Sequence, residues 1–296
     1  MVTGEKTESG ELRILGDEHA VGRLGKGVDA EGRIQPATFD RIANILERYR
    51  TTALSLGAQE IAGYGTSALR DAGNRDEFIE EMKRRTGISL RLLPGPDEAL
   101  WTWRGALFGL PLKNPDVAVL DIGGGSTEVA FGTGGVFSTG TSVNTGAVRV
   151  TERFFGHSLP PTSENIEAAR IFTRTCFEQS IALPSHCAVV GVAGTVTTLA
   201  ALAAEVPEFS AERINGRILS RDWIHTITER LLGLSLDEIE KFPQIAKGRE
   251  DILPGGALVL DEFMQVFDVP EIITSTRGLR YGLLLKEFEE HSGTPT

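Results

Sequence analysis

Apolar positions along this chain alternate between helical spacing and short continuous runs. Phe39, Ile42, Ile45, Leu46 and Tyr49 fall at helical spacing and Gly57 follows them, which predicts a helix over 36–56. Helices are expected in the same way over 74–85, 96–108, 161–179, 196–205, 222–232, 236–241 and 254–267, with a last one running to residue 290. Short apolar runs at 11–15, 60–64, 90–93, 187–192 and 271–274 predict strands between them. Strands and helices that take turns in both halves of a chain define an α/β pattern.

The most informative stretch is 117–131. Two apolar runs flank Gly123, Gly124 and Gly125, which predicts a β-hairpin whose tip is bare backbone. Three glycines weaken a hairpin unless something must come close to it. Their exposed N–H groups suit an anion. Asp121 enters the turn and Glu128 leaves it. Neither carboxylate favours a naked phosphate. Both make sense with a divalent cation between carboxylate and phosphate, or with one of them handling a proton. The plainer account is an ordinary glycine-rich hairpin.

Composition narrows the class. At 296 residues the chain is one large or two ordinary domains, and 111–115, bounded by Pro111 and Pro115, is the best linker candidate. The expected division is 1–113 and 114–296. With 41% hydrophobic and 24% charged residues the composition is that of a soluble globular protein. A net charge of −11 argues against a nucleic-acid partner, although a local positive cleft can still take a polyanion. No apolar run is long enough to span a bilayer and no signal peptide is evident, so no membrane partner and a cytoplasmic location are expected. Cys176 and Cys187 lack redox or metal spacing and read as free thiols, and the five histidines lack ligand spacing. A frayed tail is expected over 291–296.

Other positions are ambiguous one at a time. Ala193-Gly194-Thr195 stands between a strand and a helix, where backbone N–H groups and a helix N-terminus face an anion. Alone it is a common α/β turn; with the hairpin it becomes a second phosphate clamp across a cleft. Glu98 lies in the first turn of its helix, where an acidic residue complements the dipole. Arg70, Arg149, Arg277 and Arg280 each read equally well as solvated arginines, and Asp251 as a helix cap. There is no P-loop and no nucleophile elbow, and the loose dinucleotide pattern at 63–68 lacks its acidic partner. A covalent nucleophile is not indicated. Attack of water on a phosphoryl group, helped by a carboxylate base and a metal, fits these residues better.

Taken together, the segments resemble the exopolyphosphatase/guanosine pentaphosphate phosphatase family of the actin-like ATPase superfamily. The matching runs are Gly65-Thr-Ser-Ala-Leu-Arg70-Asp-Ala72, Gly95-Pro-Asp97-Glu98-Ala99, Leu120-Asp121-Ile-Gly-Gly-Gly-Ser-Thr-Glu128, Thr145-Gly146-Ala-Val-Arg149, Ala193-Gly194-Thr195 and Gly278-Leu-Arg280-Tyr-Gly282, in family order. The resemblance implies two actin-like (ribonuclease H-like) α/β domains with a cleft between them. It implies Glu98 as catalytic base, with Asp97 standing where the family's first Glu usually stands. Asp121 and Glu128 would be the acidic pair that handles Mg²⁺ or Mn²⁺ and the attacking water. Gly123, Gly124, Gly125 and Ser126 would form one phosphate cradle, Gly194 and Thr195 the other, with Arg70 as a phosphate-binding arginine. Members of this length are commonly homodimers.

One segment departs from the pattern. The family opens with a strand, Asp-x-Gly-[Ser/Thr]-Asn-[Ser/Thr] and a second strand, and residues 1–11 contain no such motif. The first domain is therefore expected to lack its first strands, with 1–5 serving as a turn. The function expected is release of terminal orthophosphate from inorganic polyphosphate. Alternatives are a guanosine pentaphosphate 5′-phosphatase, a non-catalytic protein that binds alarmone or polyphosphate, and an ATP-dependent kinase of the same superfamily.

Overall fold

The computed structural model describes residues 1–7, 10–20, 22–25, 28–156, 159–180, 182–184, 186–206 and 210–292. The N-terminal part contains strands β1 (Val2–Lys6) and β2 (Leu12–Asp17), helices α1 (Val28–Glu31) and α2 (Pro36–Ser55), strand β3 (Gly63–Gly65), helices α3 (Ser67–Asp71) and α4 (Arg75–Thr86), strand β4 (Leu90–Leu92) and helix α5 (Gly95–Leu107). The rest contains β5 (Asp116–Ile122), β6 (Thr127–Thr133), β7 (Val136–Val143), α6 (Ala147–Val150) running into a π-helical turn (Thr151–Phe155), α7 (Ser163–Ser180), β8 (Ala188–Val192) and α8 (Ala193–Ala203). Then follow α9 (Ala211–Ile214), β9 (Ile218–Ser220), α10 (Arg221–Leu232), α11 (Leu236–Ile239), α12 (Leu253–Val266), β10 (Glu271–Thr274) and α13 (Leu279–Ser292).

Three expectations are corrected. Residues 2–6 form a strand, not a turn: Val2 to Lys6 pair antiparallel with Leu12 to Asp17, across a bulge at Thr3 and Gly4. The Ala193-Gly194-Thr195 segment is itself the first turn of α8 rather than a loop before it. Of the tail expected over 291–296, His291 and Ser292 complete α13, and 293–296 lie outside the described residues.

Sheet order in the C-terminal part is β7-β6-β5-β8-β10-β9, with β5, β8 and β10 mutually parallel and the flanking pairs antiparallel. The apolar run of β5 is buried on both faces, as a central strand requires. Ala118, Leu120 and Ile122 join Phe177 of α7, Leu199 of α8 and Leu258 and Phe263 of α12 on one side. Val117 and Val119, one residue out of phase, join Ala99, Trp103 and Ala106 of α5 on the other. Helix α5 is thus clamped to the C-terminal sheet, and Trp103 Nε1 donates to the Val117 carbonyl at 3.1 Å. Helix α13 returns to lie against α5 at backbone contact. A Cβ on Gly282 would stand 1.7 Å from the Trp101 carbonyl oxygen, and one on Gly105 2.1 Å from that of Gly278.

Candidate active site

Parallel pairing of β5 with β8 sets Asp121 level with Val192. The C-terminal ends of these strands therefore deliver the glycine hairpin and the start of α8 to one sheet edge, where open α/β sheets form ligand crevices. Strand periodicity then places the carboxylates. Asp121 shares a face of β5 with Val117 and Val119; Glu128 is its direct partner on β6, and Ser142 of β7 is the direct partner of Glu128. That is the face α5 covers. Glu98, in the first turn of α5, comes down beside both strand carboxylates and is only 6% exposed.

Polar contacts fix each group. Arg70 Nη1 donates to Glu98 Oε2 at 2.6 Å and to the Leu93 carbonyl at 2.7 Å. Glu128 Oε1 accepts from Ser126 Oγ and from Ser142 Oγ, both at 2.7 Å. Burial first, and then the Glu128 charge, push Glu98 up to about 7 against the pull of Arg70 and Thr66. Asp121 is raised well above the usual carboxylate range by burial, Glu128 and Glu98. Burial raises Glu128 as well, with Ser142, Ser126 and Arg70 opposing. Three carboxylates share one arginine, so surplus negative charge remains for protons or a cation to offset.

Two sets of unclaimed donors flank the carboxylates. The Gly123 N–H closes the hairpin onto Ser126 O, and the Gly123 and Gly124 carbonyls accept from the first N–H groups of α6. The N–H groups of Gly124, Gly125 and Ser126 have no acceptor among the described residues. At the start of α8, Ala193, Gly194 and Thr195 precede the first intrahelical bond, and no side chain caps them. Arg149 Nε holds the Gly125 carbonyl at 2.6 Å.

Other residues singled out in the sequence are brought elsewhere. Arg277 donates to the Phe108 carbonyl at 2.7 Å and stacks on Phe108 and Tyr281. Arg280 binds Asp17 and the Met1 carbonyl. Asp251 is no cap; it pairs with Arg23 at 2.5 Å. Two contributors are not evident from the sequence pattern. Ser142 goes unseen with its strand, although Gly134-Gly135 is a hairpin signal that would have set its register against Glu128. Arg249 lies directly on the α8 turn: a Cβ on Gly194 would be 1.3 Å from its Nη1. Its polar partner is His19 Nε2 at 3.2 Å, 230 residues away in sequence, and among the described residues no carboxylate pairs with it. Among the described residues, one group of three metal-capable side chains has ligand atoms within 4.8 Å of one another: His225, Glu229 and Asp261. Arg170 already binds both Glu229 and Asp261, which makes this an ion-pair network on α7, α10 and α12.

The match to known proteins follows the same outline. The model of the Ppx/GppA phosphatase family matches residues 3–291, and the chain belongs to that family. Exopolyphosphatase 2 of Mycobacterium tuberculosis is 34% identical over 262 residues, covering 86% of this chain and 81% of its own. A solved exopolyphosphatase-like protein is 27% identical with a TM-score of 0.85, covering 95% of this chain and 91% of its own. The Ppx/GppA family member from Aquifex aeolicus is 26% identical with a TM-score of 0.79, covering 97% and 93%. The fold is accordingly the two-domain actin-like α/β fold of that family, and the chain is an enzyme of its hydrolase class. No helix among the described residues is long and apolar enough to cross a membrane.

Proposed function

We propose that the chain releases terminal orthophosphate from inorganic polyphosphate by attack of water, with Glu98 as the base. The carrying observation is a buried carboxylate with a pKa of about 7 set beside two clusters of unclaimed backbone N–H groups. A base is most effective when its pKa lies near the working pH, since it is then both deprotonated and able to hold the proton. The N–H groups of Gly124, Gly125 and Ser126 take one phosphate and those at Gly194 and Thr195 another. Arg70 and Arg249 add positive charge, and fixed donors of this kind stabilise the transferring phosphoryl group without rearranging.

Surplus carboxylate charge and an all-oxygen donor set fit a divalent cation such as Mg²⁺ or Mn²⁺, with Asp121 and Glu128 as its holders. When bound, the ion screens the phosphates and supports the attacking water. Residues 1–113 and 114–296 are taken as the two units, with α5 and α13 at their junction, and the site is taken to work in the cytoplasm. Guanosine pentaphosphate presents the same terminal groups; competition between the two substrates in one phosphate-release assay ranks them.

The charge balance sets two expected results. As pH falls through about 7, Glu98 takes up a proton and ceases to be a base, so kcat/KM should drop with falling pH across that range and level off above it. A profile flat across that range would remove Glu98 from the role. Second, protons and metal compete for the same carboxylates. Mg²⁺ should therefore raise the melting temperature more at about pH 8 than at about pH 6. An equal shift at both would place the metal elsewhere.

A further inference from the structure

Arg23 belongs to the N-terminal part, yet its guanidinium is spent on the 248–251 loop of the C-terminal part. Nε donates to the Gly248 carbonyl at 2.9 Å, while Nη1 and Nη2 reach the two Asp251 oxygens at 3.1 and 2.5 Å. This is the bidentate fork that favours arginine at positions where geometry matters. The backbone beneath it is fixed as well. Arg23 sits at φ +46°, a left-handed conformation uncommon outside glycine, and Arg41 holds the Gly22 and Arg23 carbonyls at 2.8 and 3.3 Å. Arg41 is in turn held to Thr38 Oγ1 at 2.9 Å.

Between the two clasped residues, Gly248 and Asp251, lies Arg249, the side chain resting on Gly194. Its polar partner, His19, comes from the same N-terminal stretch as Arg23. Burial and the neighbouring Arg249 charge push His19 down to about 4, so at neutral pH the ring is an uncharged acceptor. It orients the guanidinium without neutralising it. Arg249 is thus a half-buried cation held from two sides, with no anion paired to it among the described residues.

We propose that Arg23 is a positioning residue: by clasping Gly248 and Asp251 it holds Arg249 over the α8 turn, so that a terminal phosphate meets a preset cation at Gly194. The proposal deepens the phosphatase reading and rests on it. Arg23 acts only through Arg249, touching neither substrate nor reacting atoms.

The test is a double-variant cycle, read as tripolyphosphate binding by calorimetry in a Glu98→Gln background, where turnover does not interfere. Arg23→Ala should weaken binding about tenfold, a loss set by displaced geometry rather than by the partly exposed pair itself. Arg249→Ala should weaken it at least as much. The combination should lose no more than Arg249→Ala alone, because the first residue works through the second. Arg23→Lys, which keeps the charge without the fork, should fall between wild type and Arg23→Ala and guards against a folding defect. Additive losses, or unchanged affinity in a folded Arg23→Ala protein, would overturn the proposal. With Glu98 restored, Arg23→Ala should lower kcat/KM, and Arg249→Ala should lower it at least as much, with the combination again no worse than Arg249→Ala alone. Absence of any turnover in the wild type would instead count against the phosphatase reading and leave the binding cycle to judge the clasp.

Discussion

Glu98→Gln should lower polyphosphate turnover by about 10²–10⁴-fold, the range ascribed to a positioned base. The substitution keeps size and shape, and an amide oxygen can still accept from Arg70. It also removes one of three crowded carboxylates, so melting should change little. Loss of turnover without loss of tripolyphosphate binding separates catalysis from affinity and bears on the non-catalytic alternative: a protein that only bound polyphosphate would have no turnover to lose. The effect is large because nothing else near the site can replace Glu98. Glu128 is committed to Ser126 and Ser142, and Asp121, raised well above the usual carboxylate range by burial and by Glu128 and Glu98, is assigned to the cation.

The second large effect concerns the helix that carries the base. Gly282→Val should destabilise the protein by about 3 kcal/mol, the upper end of ordinary overpacking losses. Any Cβ there lands on the Trp101 backbone rather than on a side chain that can swing aside. Helices α5 and α13 must part to admit it. The melting temperature should fall by roughly 5–10 °C. Activity should fall further than the unfolded fraction explains, because α5 also sets Glu98 against Asp121 and Glu128. Gly233→Ala makes a fair control: a Cβ there meets nothing closer than 3.6 Å. Equal melting shifts for the two variants would refute the close-contact account.

Much of the fold and part of the site are legible in the sequence, for identifiable reasons. The hairpin tip stands out because three glycines between apolar runs weaken the turn to no purpose unless a ligand must reach the backbone. The helix of residues 36–55 is bounded by proline, periodicity and glycine, all local signals. Glu98 is ambiguous from position alone, since a first-turn glutamate also serves the helix dipole; only burial beside Glu128 and a 2.6 Å bond from Arg70 distinguish it. What the sequence hides is either weakly patterned or long-range. Strands β1 and β7 carry threonine, serine and glycine where apolar alternation would mark a strand, and β7 lies at the edge of its sheet. Arg249 and Arg23 look like surface arginines because their partners lie more than 200 residues away. No window along the chain reveals that α5 lies on the C-terminal sheet rather than facing it across a gap.

The most direct test follows the phosphorus NMR of polyphosphate incubated with Mg²⁺ and either the wild-type protein or Glu98→Gln. The account predicts that the wild type produces orthophosphate in step with loss of chain length, while the variant leaves the polymer almost untouched. Cleavage at the same rate by both proteins, or an unchanged polymer with the wild type, would contradict it.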